Sequence, residues 1–427
     1  MNSCRPDDIV CFEIGSGDMP PWFGSRREIG EDWTALLAQA SRHVIQLAVR
    51  GDDVAIRGAT RVGLVALPSG RRLIVRSKIS GLTLLAWLAY LGEFPRLTAW
   101  LPDAGVSAGH DWPQCIARLF LYALEHVTRH HFRKEYVTVR TEDPEIRGRI
   151  LTAAFARQLH RLPRVPQIQR NRTFDTPFNI VLALALDRLP ILLSSRSDDL
   201  RRVAQLREQW MSISRQTNDA VAAVTAAQWA SPPGYHQALQ LARLILIGAT
   251  LDPASNTGGQ AFTLPLAIVW ERALRRMFDD IASQTGWHRL PDNQRTRRWD
   301  DPAGRDDPKR WLIVDVIVER SGERWVLDAK YKREFGDESR MDRFQMCAYA
   351  VAFDAVRASL VYPTPKCVVA PRTLLSTAVN GRPLQVDSIG LPMANGPESC
   401  LADLASIVRG VERNRREQEC ALLSNQP

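Results

Sequence analysis

Two aspartates and a lysine lie close together on two short runs of β-branched residues. The first run covers residues 310–319 and contains Asp315, and the second covers residues 324–332 and contains Asp328 and Lys330. A short turn with Ser-Gly at its centre separates the runs, which predicts a β-hairpin. With that turn centre, Asp315 is expected to lie opposite Asp328, with the Cβ atoms about 4.5–5.5 Å apart. Lys330 shares a face with Asp328 because side chains alternate along a strand.

This grouping predicts metal-dependent hydrolysis of a phosphodiester. Two neighbouring carboxylates bind Mg²⁺, which keeps several of its waters and can engage a phosphate oxygen. The metal would polarise the phosphodiester and acidify a bound water, with Mn²⁺ as an alternative ion. The carbonyl of Ala329 is a further candidate ligand. A lysine beside the metal can position the water or offset the negative charge that builds up on the phosphate.

A structural explanation competes with the metal site on the hairpin alone. Asp328 and Lys330 could form an ordinary solvated salt bridge on an edge strand. The first run, however, alternates Leu312, Val314, Val316 and Val318 with isoleucines, which predicts that both of its faces are buried. A buried aspartate needs a partner or a metal, because an isolated buried charge is costly.

Helical segments on each side carry further candidate residues. Upstream, Glu271 lies on the shoulder of an apolar helical stripe and could lean over the sheet, or it could pair with Arg275 on the surface. Downstream, Asp342, Gln345 and Tyr349 share one helix face. Glutamine and tyrosine can contact a phosphate or orient a water, although a tyrosine at helical spacing can equally serve packing.

The order of these elements resembles the PD-(D/E)xK nuclease superfamily, in the branch that has a Q-x-x-x-Y helix. The resemblance implies an αβββαβ core and assigns the catalytic positions to Asp315, Asp328, Lys330, Glu271, Gln345 and Tyr349. It also implies that Asp315, Asp328, Glu271 and Ala329 hold the metal. One departure is Val314, which stands where the motif often has proline.

Other segments resemble the McrC family of nuclease subunits. Arg76-Ser-Lys-Ile79 followed by an apolar helix is similar to its "PKI … LL.ML.YA" region, and Tyr136 with Arg147-Gly-Arg-Ile150 is similar to its "Y … RGRI" segment. With the segments at residues 173–179 and 360–363, the resemblance spans roughly residues 70–365. It implies a subunit of a modification-dependent restriction and antiviral defence system that cleaves modified double-stranded DNA. The expected partner is a hexameric McrB-like AAA+ GTPase, on which the N-terminal region docks and whose hydrolysis it stimulates.

Length and composition predict a multidomain globular chain, and the order of the predicted elements with the resemblance implies the α/β (α+β) class. The 427 residues are 45% hydrophobic and 24% charged, and the net charge of +9 suits a polyanionic partner. We predict a β-rich, partner-docking domain at residues 1–105, a helical middle region at 106–255 and a nuclease domain at 256–427. The strands of the first domain are expected at residues 43–49, 54–56, 62–67 and 72–79, followed by a helix at 82–91.

Several features of the sequence exclude other classes. The seven cysteines include no C-x-x-C pair, and we find no signal peptide and no apolar run long enough to span a bilayer, so a cytoplasmic location is expected. No lysine follows a glycine, so no phosphate-binding P-loop exists and this chain is expected to bind no nucleotide itself. Two alternatives to the partner-activated endonuclease remain: a catalytically silent adaptor of an AAA+ protein, and an autonomous repair nuclease of the same superfamily.

Overall fold

The structure, a computed structural model, divides the chain into two compact units. Unit 1 comprises Met1–Cys115 together with Ala249–Pro427, and unit 2 comprises Ile116–Gly248. None of the described helices combines the length and the apolar composition needed to cross a bilayer. The structure describes residues 8–13, 19–92, 103–107, 110–130, 132–157, 164–193, 198–215, 234–247, 261–298, 311–331, 338–364, 367, 369–379 and 382–424.

The N-terminal part of unit 1 is rich in strands, as predicted. All four predicted strands and the predicted helix are present, because short apolar runs alternate with turn residues such as Gly51 and Gly70. The elements are β1 (Ile9–Phe12), β2 (Trp22–Ser25), α1 (Arg26–Ile29), α2 (Trp33–Ser41), β3 (Ile45–Arg50), β4 (Asp53–Gly58), β5 (Arg61–Ala66), β6 (Arg72–Arg76) and α3 (Gly81–Tyr90). One sheet has the order β2-β4-β3, and β1, β6 and β5 belong to another.

That second sheet is completed by β10 (Ala261–Pro265), a strand that follows unit 2 in the sequence. β10 pairs antiparallel with β5, so that Ala261 lies opposite Val65. Gly63 allows this close approach, since a Cβ atom at this position would lie 2.1 Å from the carbonyl oxygen of Phe262. The regions predicted as separate first and third domains therefore belong to one compact unit, because they share a sheet.

Unit 2 contains a sheet in addition to helices, which corrects the prediction of a helical middle region. Its strands pair in the order β7-β9-β8, and Glu135 lies opposite Thr173. Most residues of the first strand are exposed, so the strand lacks the apolar alternation by which strands are recognised in a sequence. The elements are α4 (Trp112–His130, which begins in unit 1), β7 (Glu135–Asp143), β8 (Arg149–Ile150), α5 (Thr152–Arg157), β9 (Val165–Thr173), α6 (Pro177–Leu192), α7 (Asp198–Gln209) and α8 (His236–Ile247).

The C-terminal part of unit 1 is built on a mixed six-stranded sheet of order β11-β14-β15-β16-β18-β17. Its elements are α9 (Leu266–Thr285), β11 (His288–Arg289), β12 (Thr296–Arg298), β13 (Trp311–Ile313), β14 (Val316–Arg320), β15 (Glu323–Ala329), α10 (Arg340–Ala352), β16 (Ala355–Thr364), β17 (Val369–Val379), β18 (Arg382–Pro392) and α11 (Pro397–Ser424). β14 and β15 are antiparallel, whereas β15, β16 and β18 run parallel. Together with unit 2, this layout is the mixed α/β class that the sequence predicts.

Helices cover both faces of this sheet at β15. Trp325 makes an edge contact with Phe278 of α9, whereas Val326 belongs to the buried cluster that includes Met346 of α10. Neighbouring residues of a strand point to opposite faces, so α9 and α10 lie on opposite sides of the sheet. Trp270 of α9 also donates a hydrogen bond from its indole nitrogen to the carbonyl of Val361, 3.0 Å away. The sheet is therefore buried on both faces where the candidate residues lie.

Candidate active site

The predicted hairpin is present and has the predicted register. β14 pairs with β15 so that Val316 lies opposite Leu327, and Ser321 and Gly322 form the two-residue turn. Both turn residues have positive φ angles, 50° and 80°. Positive φ at both positions is typical of the type I′ turn, whose twist matches that of the two flanking strands. The local turn chemistry thus fixes which residues of the two strands face each other.

The first run of the hairpin is interrupted at Asp315, which differs from the continuous strand that we predicted. Two arginine side chains bind backbone carbonyls at this point. Arg275 Nε donates to the carbonyl of Asp315 over 2.9 Å, and Arg295 Nη1 donates to the carbonyl of Val314 over 2.9 Å. β13, before the break, pairs with β12 instead, and its residue Ile313 is 53% exposed rather than buried. Asp315 therefore lies in a bend just before β14 begins.

The bend directs the carboxylate of Asp315 towards the end of β15. Its Oδ2 atom accepts a hydrogen bond of 2.8 Å from the backbone N–H of Ala329. Burial raises the pKa of Asp315 to about 7, and the negative charges of Asp328 and Glu271 add to this shift. The N–H of Ala329 and the charge of Arg275 oppose it only in part. Two carboxylates consequently lie close enough to repel each other, as the hairpin register predicts.

Asp328 and Lys330 form a buried ion pair beside Asp315. Asp328 is 5% exposed, and its Oδ2 atom lies 2.8 Å from Lys330 Nζ. Burial by itself lowers the pKa of Lys330, but Asp328 and Asp342 outweigh it, so the pKa is raised and the side chain is an ammonium at neutral pH. Apart from Lys330, no group among the described residues gives this Asp328 oxygen a hydrogen bond. The oxygen therefore retains lone pairs for a further positive ligand.

Helix α10 holds the lysine from the other side. Gln345 Oε1 accepts a hydrogen bond of 2.9 Å from Lys330 Nζ, and Gln345 Nε2 donates one of 2.7 Å to the hydroxyl of Tyr349. The helix starts with a capping box, in which Ser339 and Asp342 exchange hydrogen bonds, so its first turn is fixed beside the lysine. Burial raises the pKa of Tyr349, which keeps the phenol protonated. The chain Lys330–Gln345–Tyr349 thus sets the direction of the ammonium group.

The comparisons with known proteins agree with the sequence resemblance at the level of the family. A family model described as "McrBC 5-methylcytosine restriction system component" matches residues 56–363, which is more than half of the chain. The chain belongs to the McrBC family. The matched range of this McrBC family member contains the hairpin, α9, α10 and the whole of unit 2.

Two solved structures from Thermococcus gammatolerans are similar to this McrBC family member. One is the refined half-complex from a tetradecameric assembly of McrB AAA+ hexamers with bound McrC, with a TM-score of 0.62 and 13% identity over 95% of this chain and 100% of that chain. The other is the cryo-EM structure of the McrBC complex, with a TM-score of 0.44 and 14% identity over 63% of this chain and 86% of that chain. The first similarity supports a shared fold. No curated protein matches the chain.

Glu271 affects the candidate site and also forms an ion pair on its own helix. Its charge contributes to the raised pKa of Asp315, yet its Oε1 atom pairs with Arg275, and its side chain is 31% exposed. No group of three or more His, Cys, Asp or Glu side chains in the described part of the chain could hold a metal ion. The side chains at the hairpin that could act as metal ligands are thus the carboxylates of Asp315 and Asp328.

Sequence reasoning did not identify the residues that fix the backbone of the candidate site. Arg275 and Arg295 bind the carbonyls at the bend, whereas Asp342, which the sequence places on the candidate helix face, lies 3.7 Å from Lys330 Nζ. The position of Arg275, one helical turn after Glu271, was a usable signal for their ion pair but not for the bond to Asp315. Arg295 reaches the bend across a pairing of β12 with β13 that no local pattern specifies.

Proposed function

We propose that this McrBC family member is the McrC-like nuclease subunit of a modification-dependent restriction system, acting as a Mg²⁺-dependent DNA endonuclease. The proposal rests on one observation: the side chains of Asp315, Asp328 and Lys330 lie close together at the open end of one hairpin. Two carboxylates and an ammonium in this arrangement match the chemical requirements of the PD-(D/E)xK superfamily. A purely structural ion pair would need only one of the two carboxylates.

The donor set fits a divalent cation such as Mg²⁺, or alternatively Mn²⁺. Asp315 and Asp328 would be its carboxylate ligands, and the carbonyl of Ala329 a third. Mg²⁺ usually keeps several waters and needs only one or two carboxylates from the protein. Burial raises the pKa of Asp315 most, the charges of Asp328 and Glu271 raise it further, and a bound cation would offset both effects. Glu271 would bind the ion only if it released Arg275. We therefore place it outside the residues that contact the ion directly.

A bound metal ion would polarise the scissile phosphodiester and acidify a water molecule. The protein's own contribution centres on Lys330. Its ammonium is held at a fixed position by Asp328 and Gln345, from which it can orient the attacking water and offset the charge that develops on the phosphate. Gln345 and Tyr349 keep the ammonium from rotating away, and their polar groups can also contact a phosphate oxygen.

The proposed partner is an AAA+ GTPase, and the proposed substrate is modified double-stranded DNA. In the Thermococcus half-complex, AAA+ hexamers of McrB hold bound McrC. The present chain has no P-loop, so in this proposal nucleotide hydrolysis belongs to the partner ring and is stimulated by this chain. A net charge of +9 favours association with a polyanion such as DNA.

The test is a plasmid-cleavage assay with a McrB-like AAA+ GTPase as the partner. Methylated and unmethylated plasmids are incubated with Mg²⁺, with and without the partner and GTP, using wild type, Asp328→Ala and Lys330→Ala. Arg382→Ala serves as the control, because it removes a positive charge from an exposed ion pair on the same sheet. We expect cleavage of methylated plasmid by wild type and Arg382→Ala with the partner and GTP. We expect none by Asp328→Ala or Lys330→Ala, although both variants still bind the partner.

Other outcomes point to the two alternatives. Cleavage by wild type without the partner would indicate an autonomous nuclease. Stimulation of GTP hydrolysis by wild type and Lys330→Ala alike, with no cleavage in any reaction, would indicate a catalytically silent adaptor and refute the nuclease assignment.

A further inference from the structure

A buried carboxylate from the N-terminal segment contacts the chain immediately after Lys330. Glu13 follows β1 and is only 2% exposed. Its Oε2 atom accepts a hydrogen bond of 3.0 Å from the hydroxyl of Tyr331, and its Oε1 atom accepts one of 2.6 Å from the backbone N–H of Lys78. Lys78 Nζ lies 4.5 Å from the centroid of the Tyr331 ring. Glu13, Lys78 and Tyr331 form a compact group, which we call the anchor cluster.

The anchor cluster contains two ionisable groups, Glu13 and Lys78, whose charged forms are disfavoured by burial. Burial raises the pKa of Glu13, and the charge of Lys78 and the hydrogen bond from Tyr331 oppose the shift. Burial also lowers the pKa of Lys78, which the charge of Glu13 opposes. Enclosing such groups costs free energy unless they are paired and hydrogen-bonded. An apolar contact could join the N-terminal segment to the chain at Tyr331 without that cost. Hydrogen bonds are directional, so the polar groups fix one particular geometry of Tyr331.

Tyr331 is placed where it can control the direction of Lys330. β15 ends at Ala329, and the backbone N–H of Lys330 still donates to the carbonyl of Val361, 2.9 Å away. Lys330 points towards Asp328 and Gln345, and the next residue along an extended chain points to the opposite side. Tyr331 is 7% exposed, and its hydroxyl is bound to Glu13. The backbone of Lys330 is thus held on one side by β16 and on the other by the anchor cluster.

We propose that Tyr331, held by Glu13 and Lys78, is a positioning residue that keeps the ammonium of Lys330 directed at the candidate active site. The proposal rests on the proposed nuclease function. It extends the site to the sheet that contains β1 and β6, because Glu13 directly follows β1 and Lys78 lies two residues after β6. It also gives a role to the Arg76–Ile79 segment, which the sequence resemblance singles out and the catalytic residues do not explain.

The first test compares Tyr331→Phe with wild type in the cleavage assay with the partner and GTP. Phenylalanine keeps the ring and loses only the hydroxyl that Glu13 binds. We expect kcat to fall about tenfold with an unchanged KM for DNA, because the lysine is misdirected while the DNA-binding surface is intact. Tyr90→Phe is the matched control, since it removes a comparable phenol–carboxylate bond, to Asp280 at 2.6 Å, in the same unit. Equal kcat values for wild type and Tyr331→Phe would overturn the proposal.

The second test does not depend on cleavage. The chain has six lysines, so partial acetylation followed by peptide mass spectrometry resolves Lys330 from the others, with exposed Lys134 as the internal reference. We expect Lys330 to react several-fold faster, relative to Lys134, in Tyr331→Phe than in wild type or Tyr90→Phe. Glu13→Gln should keep the wild-type rate. Its amide oxygen can still accept from the N–H of Lys78, and its amide nitrogen can donate to the hydroxyl of Tyr331. An unchanged Lys330 rate in Tyr331→Phe would refute the positioning role.

The two tests separate this inference from the function on which it rests. If wild type cleaves DNA and Tyr331→Phe is unaffected in both tests, the positioning role fails and the nuclease function stands. If wild type cleaves nothing but Lys330 reacts faster in Tyr331→Phe, the nuclease function fails and the anchor cluster still positions the lysine.

Discussion

Replacing Asp315 by asparagine should stabilise the metal-free protein. The carboxylate is buried near Asp328 and Glu271, which raises its pKa from the ordinary value of 3.8 to about 7. A raised pKa means that ionisation favours the unfolded chain, so stability from this group is lost as the pH rises from about 4 to about 7. A shift of about three pKa units corresponds to about 4 kcal/mol at pH values above 7. Asparagine removes the charge, and its Oδ1 atom can still accept from the N–H of Ala329.

The assay is urea unfolding without divalent metal, followed by tryptophan fluorescence. At about pH 8 we expect Asp315→Asn to exceed wild type in free energy of unfolding by up to about 4 kcal/mol, and at about pH 5 by less than about 2 kcal/mol. Asp354→Asn, which changes an exposed aspartate paired with Arg382, should show no such dependence on pH. Addition of Mg²⁺ should stabilise wild type and leave Asp315→Asn unchanged. A loss of stability in Asp315→Asn at pH 8 would refute the electrostatic argument.

Three further changes probe the sheet, the helix and the bend. Gly63→Ala should lower the free energy of unfolding by about 3 kcal/mol, because the new Cβ meets the carbonyl of Phe262; an unchanged urea midpoint would argue against the β5–β10 pairing. Tyr349→Phe should reduce the cleavage rate about fivefold, because Gln345 loses a hydrogen bond of about 1 kcal/mol; a shift in the melting temperature with full activity would contradict this. Arg275→Met should cost about 2 kcal/mol of stability, measured by urea unfolding, because a charged donor to the bend is lost.

The hairpin could be predicted in detail because its determinants are local. The turn residues Ser321 and Gly322 set the pairing of β14 with β15, whereas the bend that turns Asp315 towards Ala329 depends on the distant Arg275 and Arg295. The helix with Gln345 and Tyr349 follows from a spacing of four residues, which brings side chains together on any helix. In both cases the information lies within about ten residues of the groups that it positions.

The remaining parts of the fold depend on pairings between distant segments. Neither the pairing of β10 with β5 nor the bond between Glu13 and Tyr331 leaves a periodic trace in the sequence. The sheet of unit 2 was missed for a different reason. Its strand β7 exposes Tyr136 and Val137 along with its polar residues, so the alternation that marks a half-buried strand is absent. Burial against distant partners, rather than local propensity, determines these elements.

The strand β10 also affects how this chain folds during its synthesis. Its partner β5 lies roughly 200 residues earlier, so the sheet that contains β5 cannot be completed until the ribosome has made the intervening unit 2. At roughly 5–20 residues per second, the edge of β5 waits about 10–40 s for its neighbour. An open strand edge is prone to pairing with other chains during such a delay. Slowing translation within residues 116–248 should therefore increase aggregation of the nascent chain, and the exposure of the β5 edge should end once residue 265 has left the exit tunnel.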